Sequence, residues 1–107
     1  MARYLLLAFS GATEGPGNEE ALEEWYKNVH IPELLADEEM ISAQRYKVVQ
    51  GAPDGIECPY VTVYEMETED MDALNQRQMK SISPLHPALD RSRTVNILVE
   101  KVPGDAA

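Results

Sequence analysis

The chain has 107 residues, 44% of them hydrophobic and 26% charged, which fits one globular domain and excludes a disordered composition. Nineteen Asp and Glu against nine Lys and Arg leave a formal charge of −10, which excludes the basic footprint that nucleic acids and anionic membrane surfaces require. No apolar run nears the roughly 20 residues of a membrane span. The apolar stretch within residues 1–9 is too short for a signal peptide, so a soluble, cytoplasmic protein is expected.

Residues 2–10 are short, apolar and closed by Ser10 and Gly11, and read as a first strand. The breaker-rich stretch 11–17 reads as a loop. Asn18 suits a helix N-cap, with Glu19 and Glu20 at the positive end of the dipole. Leu22, Trp25, Tyr26 and Val29 then recur at helical spacing, opposite Glu20, Glu23, Glu24 and Lys27. Glu23 and Lys27 are spaced for an i,i+4 pair. Pro32 predicts an interruption near His30 or Ile31, with one further helical turn over 33–36. Between Glu14 and Glu39 lie nine acids and one base, Lys27, the pattern of a solvated helix face.

Residues 41–50 read as a second strand and 51–55 as a turn. Residues 60–66, β-branched and aromatic, form the clearest strand. Thr68 is placed to cap a second helix, with Met71, Leu74, Met79 and Ile82 available for the core and Pro84 and Pro87 ending it. Residues 94–100 read as the last strand and 103–107 as a flexible tail, which leaves a single domain over 1–102.

The order β-α-β-β-α-β is that of a ferredoxin-like α+β fold: a four-stranded antiparallel sheet with two helices on one face. In the last strand Val95, Ile97 and Val99 oppose Asn96 and Leu98. In the third, Val61 and Val63 oppose Tyr60, Thr62, Tyr64 and Met66. Setting the valines under the helices leaves an aromatic, mildly polar face bare. A bare patch of that kind calls for a partner, so a homodimer with its sheets packed face to face around a cavity is expected.

Chemistry concentrates in residues 25–36. Tyr26 and His30, four apart, share one edge of the helix. His30 falls at the expected helix C-terminus, where the dipole and Glu33 favour imidazolium and would place its titration near or above neutrality. Either it moves a proton, or it caps the last carbonyls and ends the helix. Cys58 is the only cysteine, so an intrachain disulfide and a Cys-based zinc site are both excluded. His86 lies between Pro84 and Pro87 with Asp90 four residues on. It is either oriented by that carboxylate or a loop histidine bonded to the backbone. Neither histidine belongs to a short-range zinc motif, and no metal site is expected.

The string Trp25-Tyr26-x-x-Val29-His30-Ile31-Pro32-Glu33-Leu34-Leu35-Ala36, followed by Ser42-Ala43-Gln44-Arg45-Tyr46, resembles the EthD-like family of the dimeric α+β barrel superfamily. Relatives often carry Pro-Gly entering the second strand, where this chain has Glu38-Glu39-Met40. The resemblance implies a face-to-face dimer with a pocket between sheet and helices. Its members include cofactor-free isomerases, polyketide cyclases, dehydratases and haem-degrading monooxygenases, and fold alone does not choose among them.

The leading expectation is a cofactor-independent isomerase, cyclase or dehydratase acting on a hydrophobic oxygenated ring compound. His30 would be its acid/base, and Tyr26 and Arg45 would steady the oxyanion. Trp25, Tyr60, Thr62, Tyr64, Asn96 and His86 are candidate substrate contacts. Arg45 anchors an anion if it faces the cavity and is one more surface charge if it faces out. Tyr60, Thr62 and Tyr64 share a face that either lines the cavity or forms the dimer seam. The alternatives are a ligand-binding or accessory module without catalysis, and a haem monooxygenase with His30 or His86 as axial ligand.

Overall fold

The protein's computed structural model describes residues 2–52, 57–102 and 104. Pro53, Asp54 and Gly55 of the expected turn lie outside the described residues, as does the expected tail apart from Gly104. The elements are β1 (Ala2–Ser10), α1 (Asn18–Trp25), a π-helical turn (Tyr26–His30), α2 (Ile31–Leu35), β2 (Met40–Lys47), β3 (Tyr60–Thr68), α3 (Met71–Ser81), a 3-10 turn (Arg91–Arg93) and β4 (Val95–Glu100). The strands form one antiparallel sheet in the order β2-β3-β1-β4. None of the described helices is long and apolar enough to cross a membrane.

Two helix starts differ from expectation. Gly17, with φ of 78°, is the N-cap of α1 because only a residue without Cβ takes that left-handed conformation cheaply. Asn18 instead turns its amide back onto the carbonyls of Thr13 and Glu14 and pins the loop. Asp70 caps α3, accepting from the Ala73 amide at 3.0 Å. Thr68 belongs to β3, and its hydroxyl accepts the Asp70 amide at 3.1 Å.

Pro32 does not end the first helix. α1, the π-turn and α2 run on as one continuous helical unit, and Ile31 keeps helical angles although proline follows it. A proline ring crowds the carbonyl four residues back and donates no hydrogen bond. The wider π-turn just before it takes up that strain, with the Ile31 amide reaching back to the Tyr26 carbonyl. His30 therefore sits in mid-helix, away from the dipole end.

The register fixes the two faces of the sheet. On the face carrying the helices, Leu98, Leu6, Tyr64 and Ala43 make one row and Asn96, Ala8, Thr62 and Arg45 the next. On the other face stand Val99, Leu5 and Glu65 beside Ser42, then Ile97, Leu7, Val63 and Gln44, then Val95, Phe9, Val61 and Tyr46. This reverses the expected assignment: Thr62, Tyr64 and Met66 of β3 are covered, and the valines are on the bare face. The helical layer brings Glu23 to Arg45, and Arg45 in turn donates to Thr62 and Ser10, so this part of the mixed face is satisfied internally. The aliphatic face is the one left without a cover.

Two clusters form the core. Leu34, Met40, Tyr64, Met66 and Leu74 pack between sheet and helices. Ala12, Leu22, Trp25, Tyr26, Ala88 and Leu89 join the helix to the crossing loops. Leu22 and Leu74 are fully buried, each contributing about 1.5–3 kcal/mol. Met79, expected in the core, is exposed because it lies on a flank of α3 that borders open space instead of the sheet.

Candidate functional site

The helices do not reach β4, and the gap they leave is a half-open cleft of about 660 Å³ on the covered face. Leu6, Ala8, Leu34, Ile82 and Leu85 give it apolar walls. Tyr26, His30, Tyr64, Asn75, Gln78 and Asn96 bring polar groups, and Arg91 and Thr94 are also among its lining residues. Of the residues singled out from sequence, Tyr26, His30, Tyr64 and Asn96 are thus brought together. Trp25, Tyr60, Thr62, Arg45 and His86 are not part of the lining.

His30 is held by aromatic neighbours. Its ring stacks on Trp25 at 4.4 Å between centroids and meets Tyr26 edge-on at 5.5 Å. Its Nδ1 is buried without a hydrogen-bond partner among the described residues. Burial pushes the imidazole below its ordinary value, opposed by the Glu33 carboxylate and reinforced by the Arg45 cation. The expected upward shift does not occur, since the helix continues to Leu35 and its negative end lies a full turn beyond His30. The ring is accordingly neutral at pH 7, the state a general base requires.

Arg45 points under the helix and is fully engaged there. Its guanidinium forks onto the Glu23 carboxylate, donates to the Thr62 hydroxyl at 2.8 Å and to Ser10 Oγ at 3.1 Å, and lies 3.8 Å from the Tyr26 ring centroid. Glu23 is thereby drawn to Arg45 rather than to Lys27, because a partly buried fork is stronger than an exposed i,i+4 contact. This group packs against the ring of Tyr26. Thr62, fully buried, serves the same network.

Tyr60 donates to Glu19 at 3.1 Å, and that carboxylate raises its phenol above the ordinary value. Burial raises Tyr64 strongly, so it remains a neutral hydroxyl. His86 accepts the Ala88 amide through Nδ1 at 2.9 Å, while Asp90 is taken by Ser92 and Arg93. No His86–Asp90 pair forms. Cys58 is buried, and its thiol, pushed up by that burial, donates to the Arg93 carbonyl. Among the described residues no group of three or more His, Cys, Asp or Glu could hold a metal ion.

Sequence reasoning missed Asn75, Gln78 and Arg91. The first two had a signal: with Met71, Leu74 and Ile82 they form one stripe at spacings of three and four, the side of α3 that faces the sheet. Arg91, beside Asp90 in a short connection, had none.

No curated protein and no solved structure matches the chain significantly. One family model does, over residues 16–91, a span that runs from the loop before α1 to Arg91 and takes in the helix, the π-turn and the lining of α3. The chain belongs to that family, described as a domain of unknown function, DUF4286.

Proposed function

We propose that the protein is a cofactor-independent enzyme of the isomerase, cyclase or dehydratase type, acting on a hydrophobic oxygenated ring compound in the cleft, with His30 as general base. The observation that carries this is the neutral, largely buried imidazole of His30 on the wall of an apolar cleft, its Nδ1 unclaimed by the protein. Nearly all buried polar groups find a partner, and those that do not often have work to do. Proton abstraction beside a carbonyl leaves an enolate oxygen. The Tyr26 hydroxyl and the Asn96 amide are the groups available to donate to it, with Arg45 positioning Tyr26.

The test is deuterium incorporation from heavy water into a panel of lactones, cyclic ketones and hydroxylated aromatics, followed by mass spectrometry. Exchange should fall about 10²–10⁴-fold in His30→Ala. Exchange that persists in that variant removes His30 from the role. The engagement of Arg45 by Glu23 favours a second reading, ligand binding without turnover. There, His30→Ala costs stability and leaves affinity unchanged.

We infer a homodimer as well, of the EthD-like dimeric α+β barrel kind, its ferredoxin-like units meeting through the bare sheet faces. The support is the row of Leu5, Leu7, Val61, Val63, Ile97 and Val99 on a face that no helix covers. The single buried thiol of Cys58 suits a reducing compartment, and on that ground we assign the protein to the cytoplasm.

A further inference from the structure

A chain of charge −10 should repel anions, yet among the described residues lining the cleft there is no Asp or Glu. Arg91 is the one Arg or Lys there, and it makes no ion pair among the described residues. The adjacent carboxylate is committed elsewhere: Asp90 accepts from Ser92 Oγ at 2.6 Å and from Arg93 Nε at 3.0 Å. Arg91 is exposed at the cleft and so keeps an open fork of donors.

The cleft also continues. A second hollow of about 290 Å³ shares Leu6, Leu34, Tyr64, Asn75, Gln78 and Asn96 with it and ends among Met40, Met66, Met71, Leu74 and Leu98. Met71 and Leu74 begin α3, whereas Ile82 and Arg91 follow its far end, so the two hollows run along the helix. One end offers a cation, the shared middle offers the amides of Asn75, Gln78 and Asn96, and the far end offers flexible thioethers, which adapt to apolar ligands of varied shape.

We propose that the cleft recognises an organic carboxylate, its acid group held by Arg91 and its apolar body lying along α3 toward the methionines. The proposal rests on the cleft being the substrate site described above and narrows its substrate to an amphipathic acid. The neighbouring acidic surface then acts as a filter: an anion enters only where the carboxylates of the chain are absent and a cation waits.

The test is calorimetric titration of the full chain with 2-naphthoate and with its neutral counterpart, 2-naphthalenemethanol. The carboxylate should bind about tenfold more tightly, the worth of one charge-assisted contact at a wet rim. Arg91→Gln, an exposed substitution, should erase that preference and leave the alcohol's affinity unchanged. Equal affinity of the two compounds, a preference surviving in Arg91→Gln, or binding of neither would each overturn the proposal. His30→Ala should keep the preference, so failure of proton transfer and failure of carboxylate recognition are separate results.

Discussion

The imidazole of His30 lies nearly parallel to the indole of Trp25, with 4.4 Å between ring centroids and 16° between planes. The stack removes water from one face of the imidazole and gives its nitrogens nothing to bond. It helps to keep the ring neutral. Trp25 is itself buried and tilts toward His86 at 6.2 Å, so the indole is a fixed wall rather than a mobile lid.

That burial has a consequence for stability against pH. The folded state lowers the His30 value, so below the ordinary histidine value the unfolded chain holds the extra proton and acid favours unfolding. Stability should be undiminished above that value, decline as pH falls through the window beneath it, and reach its full loss below the folded-state value. Asp37 acts in a lower window. Arg77 holds its carboxyl down, so its contribution is present above the ordinary carboxylate range and is lost as pH falls through the folded value. Urea unfolding from pH 8 to pH 2 should show both steps, the lower one shared with Glu67 and Asp90, and His30→Gln should remove only the first.

Arg45 should be a stability residue. Its side chain is 14% exposed and satisfies Glu23, Ser10 and Thr62 at once. Arg45→Met leaves two buried hydroxyls and a carboxylate without their donor. The expected loss is about 2 kcal/mol, below the cost of breaking a fully buried pair because Glu23 remains partly in water. Arg45→Lys should recover little, since an ammonium cannot fork onto a carboxylate. Chemical denaturation measures both; a loss near zero in Arg45→Met would show the network to be ornamental.

Much of the fold was legible in the sequence. The β-branched run over 60–66, which the structure extends to Thr68, and the apolar run over 2–10 became neighbouring strands, and the element order survived intact. The cleft's Tyr26 and His30 were legible from their spacing. The sign of the sheet faces was not. Period-two alternation says that Val61 and Val63 share a side, but not which side the helices choose. Assuming that the more aliphatic face is inside fails here because the helices pack on the mixed face, where Glu23 meets Arg45. The His30 shift was misjudged for a different reason, since Pro32 as a helix stop placed the dipole end one turn too early. Asp37–Arg77 and Glu23–Arg45 were invisible because both pairs join residues more than 20 positions apart.

The bare aliphatic face gives a prediction about assembly. Ile97 and Val99 are each 39% exposed, although they sit opposite the leucines of β1. Such a row is costly in water and gains by stacking on itself about a two-fold axis. The chain should sediment at twice its 12.0 kDa. Val63→Lys, in the middle of the face, should yield a folded single subunit with unchanged circular dichroism. A wild-type chain that sediments as one subunit ends the dimer.

Pro32→Ala tests what holds His30 on the cleft wall. Alanine restores an amide at position 32 and removes the ring that crowds the Asn28 carbonyl, so the regular i→i−4 hydrogen bond becomes available. The π-turn at Tyr26–His30 then loses its cause, and closing it by one register rotates His30 relative to Tyr26. The stability change should be small, within about 1 kcal/mol, because the hydrogen bond gained is offset by the freer unfolded chain. The chemical change should be large. As the imidazole leaves its seat against Trp25 it regains water, its titration followed by NMR should move back up toward the ordinary histidine value, and any exchange activity should fall at least tenfold. An unmoved titration with full activity would mean that Trp25 and Tyr26, not the proline, set the turn.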